Sequence, residues 1–134
     1  MKGPKEILFP PEKRQLRGGR AARIALRTVH LLCLSALFGG HLFGIPRAEL
    51  AVWLHWTVFS GAGLIALELY GSFDWLLQVA GALVLVKLLI LGLTPLFWEQ
   101  RIALLTIVMV IGSVGSHMPS ALRHLRFPPA RHIP

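Results

Sequence analysis

Apolar residues run through this chain in four long blocks, at about 24–44, 48–70, 73–93 and 101–118. Each block is near the ~20 residues that an α-helix needs to cross a ~30 Å hydrocarbon layer. The breaks between blocks are short and carry helix-stopping residues. Ile45-Pro46-Arg47 separates the first two, Gly71-Ser72 makes a tight turn, and Thr94-Pro95 ends the third. Phe97-Trp98-Glu99-Gln100-Arg101 then forms an interfacial loop, and Pro119 closes the last block. The pattern predicts an all-α protein, an integral membrane four-helix bundle.

Residues 1–20 show no apolar periodicity and are broken by Gly3, Pro4, Pro10-Pro11 and Gly18-Gly19. They read as a basic tail that orders only against a partner or a lipid surface. Residues 21–119 form the four-span domain, and 120–134 a second basic tail. No small-x-small cleavage site follows the first block, so it is expected to be a retained anchor.

Composition agrees with lipid contact. The 134 residues are 54% hydrophobic and 15% charged, with a mean hydropathy of +0.63, too apolar for the surface of a soluble domain this small. The net charge of +8 raises the question of nucleic acid. The basic residues instead flank apolar spans and lack interleaved stacking aromatics, so no nucleic-acid partner is expected. Lys and Arg crowd the N-tail and C-tail, whereas Arg47 and Arg101 lie on the opposite side. That asymmetry predicts both termini in the cytoplasm (N-in, C-in), in a bacterial-type inner membrane. Trp53, Trp56, Trp75 and Trp98 fall near span ends, where an indole N–H stays wet. The lone Cys33 permits no intrachain disulfide.

Small residues recur at helix-contact spacing: Gly40-x-x-x-Gly44, Gly61 with Gly63, and Gly112-x-x-x-Ser116. They let helix backbones approach, which is an argument about packing.

Polar groups in hydrocarbon are costly, so those inside the blocks carry the functional argument. By rise per residue, His30 and His117 lie near the cytoplasmic face, and His41 and His55 near the opposite one. His30, Leu34, Leu37 and His41 share a helical stripe, as do Thr106, Ser113 and His117; both stripes are expected to face inward. Histidines from different helices are the ligands that hold b-type haem in a membrane bundle. The same residues could take copper, with Cys33, Met109 and Met118 as soft auxiliaries. Arg27 and Arg123 are placed to meet haem propionates. Lys87 interrupts the run Leu83–Leu91 and must snorkel, pair with an acid such as Glu49 or Glu99, or contact an anionic ligand group. Glu68 is expected in the cytoplasmic headgroups, and His124 and His132 in solvent. A plainer alternative has the histidines only anchoring helix ends. No phosphate loop, HExxH or nucleophile–base pair suggests a hydrolase or a nucleotide enzyme.

Val29-His30 followed by Gly39-Gly40-His41-Leu42-Phe43-Gly44-Ile45-Pro46-Arg47 resembles the opening of copper-resistance D-like and HemJ-like membrane proteins. Lys87 resembles the lysine that HemJ-like proteins carry in their third helix. The resemblance covers two short stretches of the four spans; His55 and Ser116-His117-Met118-Pro119 lie outside it. It implies a small helical bundle whose His30 ligates haem or copper. The expectation is a cytochrome-like protein passing electrons within the membrane, to quinone or a partner subunit. His30 and His117 form its first ligand pair and His41 with His55 a second, with Lys87 on an anionic group. The alternatives are a copper-handling protein and a non-catalytic subunit of a membrane complex or homo-oligomer.

Overall fold

A computed structural model describes residues 3–127, so the end of the C-tail, with Arg131 and His132, lies outside it. The described chain is helical, in the order α1 (Pro4–Leu8), α2 (Gly19–Leu42), α3 (Arg47–Gly71), α4 (Val79–Leu93), α5 (Arg101–His117) and α6 (Ser120–Arg123). Two 3₁₀ turns, Phe73–Leu77 and Trp98–Gln100, precede α4 and α5. Three of the helical stretches are long and apolar enough to cross a membrane: Gly19–Leu42, Arg47–Gly71 and Trp98–His117. The chain divides into two compact units, Met1–Ser72 and Phe73–Pro134.

The first unit is an antiparallel hairpin of α2 and α3. Gly44, with φ +73°, takes the left-handed conformation that glycine alone adopts cheaply, just beyond the end of α2. Pro46, immediately before α3, then starts the return helix. The register follows from what faces the glycines. A Cβ on Gly40 would meet Leu50, one on Gly61 would meet His30 Cε1 at 3.0 Å, and one on Gly63 would meet Leu26 at 3.1 Å. At the open end of the hairpin, Arg23 Nε pairs with Glu68 Oε1 at 3.0 Å. In this hairpin Gly40, Gly61 and Gly63 make the expected contacts, and Gly44 serves the turn. Cys33, Leu37 and Gly40 on α2 bury against α3, whose buried residues are Leu50, Thr57 and Ser60.

The second unit departs from the sequence expectation. The block at 73–93 is not one helix, because α4 starts at Val79 and is 15 residues long. At 1.5 Å per residue that is only about 22 Å. The preceding turn folds back on it: a Cβ on Gly81 would fall 2.2 Å from the Trp75 carbonyl oxygen and 2.9 Å from Leu76 Cα. The break leaves backbone groups without helical partners, and the C-terminal segment supplies them. Val79 N–H donates to Leu125 O at 3.0 Å and Phe127 N–H to Leu77 O at 2.7 Å, forming an isolated antiparallel bridge between Gln78 and Arg126. His124 Nδ1 donates to Gln78 Oε1 at 2.9 Å, and Arg126 pairs with Asp74 at 3.1 Å. His124 is thus tied to the chain, where the sequence suggested a freely solvated side chain. Beyond this clamp α4 and α5 run antiparallel, with Leu83 against Gly115 and Lys87 against Gly112.

Gly81 is the tightest backbone approach, since the atoms a side chain would strike are main chain. Gly81→Ala should destabilise the detergent-solubilised protein by about 1–3 kcal/mol, as overpacking does. Gly92, whose Cβ would meet nothing within 4 Å, is the control. Gly92→Ala should be neutral or stabilise by up to ~1 kcal/mol through helix propensity. Thermal or denaturant unfolding of the two variants side by side checks both signs.

Candidate functional site: the histidines of the apolar helices

His30 is half-buried and is held across a helix interface. Its Nδ1 lies 3.0 Å from the Thr57 carbonyl oxygen and 3.1 Å from Ser60 Oγ across the α2–α3 interface. A carbonyl oxygen only accepts, so Nδ1 carries a proton. Ser60 is 0% exposed and its hydroxyl lies 2.6 Å from Trp56 O, to which it donates, leaving its oxygen to accept from His30. The Thr57 hydroxyl likewise donates to Trp53 O at 2.7 Å. The hydroxyls thereby answer the demand that polar groups between apolar helices be satisfied. Gly61 supplies the space for the ring. Thr57 and Ser60 escaped the sequence reading, although they are the only Ser or Thr residues in the 48–70 block.

His55 and His117 repeat the same proton placement on their own helices. His55 Nδ1 donates to Ala51 O at 2.6 Å, and His117 Nδ1 to Ser113 O at 2.9 Å. Each is the carbonyl four residues earlier, so in the neutral ring Nε2 is the acceptor. Both side chains are exposed. His55 lies beside Trp56 and Phe59 in a shallow apolar depression; those two rings meet edge-to-face at 5.7 Å.

The depth pairing from the sequence changes in the first unit. With Gly40 opposite Leu50 and His30 opposite Gly61, His55 lies level with Ser35 rather than His41. That separates the two histidines by about 9 Å along the hairpin axis. His41 is half-buried near the end of α2. The expected stripe on α2 does run along the α3 side, since His30 reaches α3 and Leu37 is buried. On α5 the stripe of Thr106, Ser113 and His117 is exposed, and the buried residues are Leu105 and Val108. The inward face of α5 within its unit is the apolar one.

The cations expected to serve a ligand are differently placed. Arg123 donates to Ser116 O at 3.3 Å and Met118 O at 3.4 Å, closing the end of α5, which suits a helix C-terminus. Arg27 is exposed on α2. Lys87 is half-buried on α4, with Nζ 3.8 Å from where a Gly112 Cβ would stand. Among the described residues the ion pairs include Arg23–Glu68 and Arg126–Asp74, and none joins Lys87 to Glu99.

Among the described residues, no three His, Cys, Asp or Glu side chains gather as a group able to hold one metal ion. No protein-family model, curated protein or solved structure matches the chain.

His30 should therefore matter more to stability than the exposed histidines. Replacing His30 by Leu should cost roughly 1–2 kcal/mol, because Thr57 O and Ser60 Oγ lose their donor in a buried place. The corresponding His55→Leu and His117→Leu changes should cost less than ~0.5 kcal/mol, as surface changes do. Denaturant titration in micelles provides the ranking.

Proposed function

We propose that the chain is a four-span membrane protein with both ends in the cytoplasm, which binds b-type haem through histidine and passes electrons within the membrane. The observation that carries the proposal is the shared proton placement of His30, His55 and His117. Each has its Nδ1 proton held on an oxygen, which orients the ring, and in the neutral form of His55 and His117 Nε2 is then the donor that iron takes. Haem supplies four nitrogens of its own and asks the protein for one or two, so it fits histidines that are not clustered. His55 and His117, exposed on apolar helices, are the most accessible ligands. His30 and His41 remain candidates by position, and Lys87 or Arg27 would meet a propionate. When bound, haem provides a one-electron redox centre whose potential its axial ligands set. The protein's own part is to fix ring orientation and to exclude water. The resemblance to copper-resistance D-like and HemJ-like proteins points the same way.

Three long apolar helices support the membrane reading, together with the asymmetry of Lys and Arg. The fourth crossing falls to α4, whose short length asks for thinning of the bilayer or tilt of its neighbours. The backbone break before α4 is compatible with a membrane edge, because its donors and acceptors are taken up by Leu125 and Phe127.

A second reading draws on His30 alone, whose ring is engaged in joining α2 to α3. In it the chain is an accessory helical subunit whose polar residues fix packing. Copper in place of haem is the third.

The purified protein should show a Soret band at a haem-to-chain ratio near one, and His55→Ala or His117→Ala should reduce it severalfold. Absence of the band after gentle purification refutes the haem reading. Stoichiometric copper in its place establishes the metal alternative. Topology is checked separately in cells of a Cys33→Ala background. A cysteine at Glu99 should react with an impermeant maleimide from outside, and one at the exposed Phe73 should react only after the cells are permeabilised.

A further inference from the structure

The N-terminal arm, residues 3–18, carries a feature that the haem proposal does not use. Ile7, Leu8, Phe9 and Leu16 are all exposed, Ile7 by 51%, within a stretch too short to build a core of its own. Between and beside them stand Lys5, Lys13, Arg14, Arg17 and Arg20, five cations against the two acids Glu6 and Glu12. Exposed apolar side chains interleaved with excess positive charge match one chemistry, the headgroup region of an anionic lipid leaflet.

The arm is also held at a definite place. Arg14 N–H donates to Gly71 O at 3.0 Å, and its guanidinium lies over the Tyr70 ring at 5.8 Å. The same guanidinium bonds the Ile7 carbonyl, so the turn carrying Ile7, Leu8 and Phe9 is drawn back to the end of α3. One helical level inward sits the Arg23–Glu68 pair. Gly18, with φ +75°, lets the chain turn from the arm into α2. Tyrosine and arginine at the end of an apolar hairpin mark the level of the membrane interface.

We infer that residues 3–18 form an interfacial arm lying on anionic phospholipid, its apolar side chains at the acyl boundary and its cations on lipid phosphate. The inference rests on the membrane reading above and is independent of haem. Arg14 sets the height of the arm on the hairpin, and the remaining cations supply the preference for anionic lipid.

The test uses the full chain reconstituted in vesicles of phosphatidylcholine, with or without phosphatidylglycerol. An environment-sensitive fluorophore is attached at Phe9→Cys in a Cys33→Ala background. With the anionic lipid its emission should shift to the blue and gain intensity, and added Lys13→Glu and Arg17→Glu should abolish the gain. Hydrogen exchange of the unlabelled chain gives a readout without substitution. Residues 3–18 should exchange several-fold more slowly with phosphatidylglycerol than without it. Equal emission and equal exchange in the two lipids overturn the inference, as does protection that appears only when a second protein is added. Alkaline carbonate extraction separates the two failures. A chain that stays in the pellet but shows no lipid dependence refutes the arm alone, whereas a chain that is extracted refutes the membrane reading itself.

Discussion

The structure depends on one constraint: a polar group placed between apolar helices must find its partner within the protein. Leaving a buried hydrogen-bonding group unsatisfied costs about 1–3 kcal/mol, typically more than the net gain from making the bond. The chain meets this locally. Thr28, Thr57, Ser60, Thr94, Thr106 and Ser116 each donate to the carbonyl four residues earlier. His55 and His117 do the same with their ring N–H. His30 instead spends its donor on another helix, and that crossing joins the glycine contacts and the Arg23–Glu68 pair in fixing the α2–α3 register. Sliding α3 by one turn would bring a side chain where Gly61 now faces the ring and would move Ser60 out of reach.

Close approach of the apolar helices then falls to small residues. Gly40, Gly61 and Gly63 take side chains from the opposite helix in the first unit, and Gly112 with Gly115 does so in the second. The second unit adds a different device. Its 3₁₀ turn packs on Gly81, and the backbone freed at Gln78 is bonded by residues 125–127. The C-terminal segment is therefore part of the unit's architecture, and Asp74, Gln78, His124 and Arg126 act together as its polar fastening.

Much of this was legible in the sequence. Helix existence, the turn at Gly71-Ser72, the stop at Thr94-Pro95 and the use of glycine at contacts all follow from periodicity and breaker residues. The break before Val79 was not legible, because Phe73–Leu77 is as apolar as a helix turn and Gln78 is one polar residue in a hydrophobic block. The groups that satisfy it lie far along the chain, His124 being 46 residues from Gln78, and periodicity is blind to such separations. The same limit hid Thr57 and Ser60 as partners of His30. Depth alone paired His41 with His55, whereas the hairpin register, fixed by which side chains the glycines admit, sets them apart along the axis.

Proton placement explains why packing and ligation are hard to tell apart by residue type, and exposure then divides them. His30, held by Thr57 and Ser60, already helps to fix the hairpin register, so its ring has a structural reason to be where it is. His55 and His117 have none of that kind: each bonds only its own helix, is exposed, and leaves Nε2 without a hydrogen-bond partner among the described residues. If the helices span a membrane as proposed, that nitrogen faces either lipid, where it is costly, or something that accepts its lone pair. The stability ranking and the Soret band accordingly bear on different residues. A histidine whose loss leaves the fold intact but removes the spectrum is a ligand, and one whose loss weakens the hairpin while the spectrum survives is a packing residue.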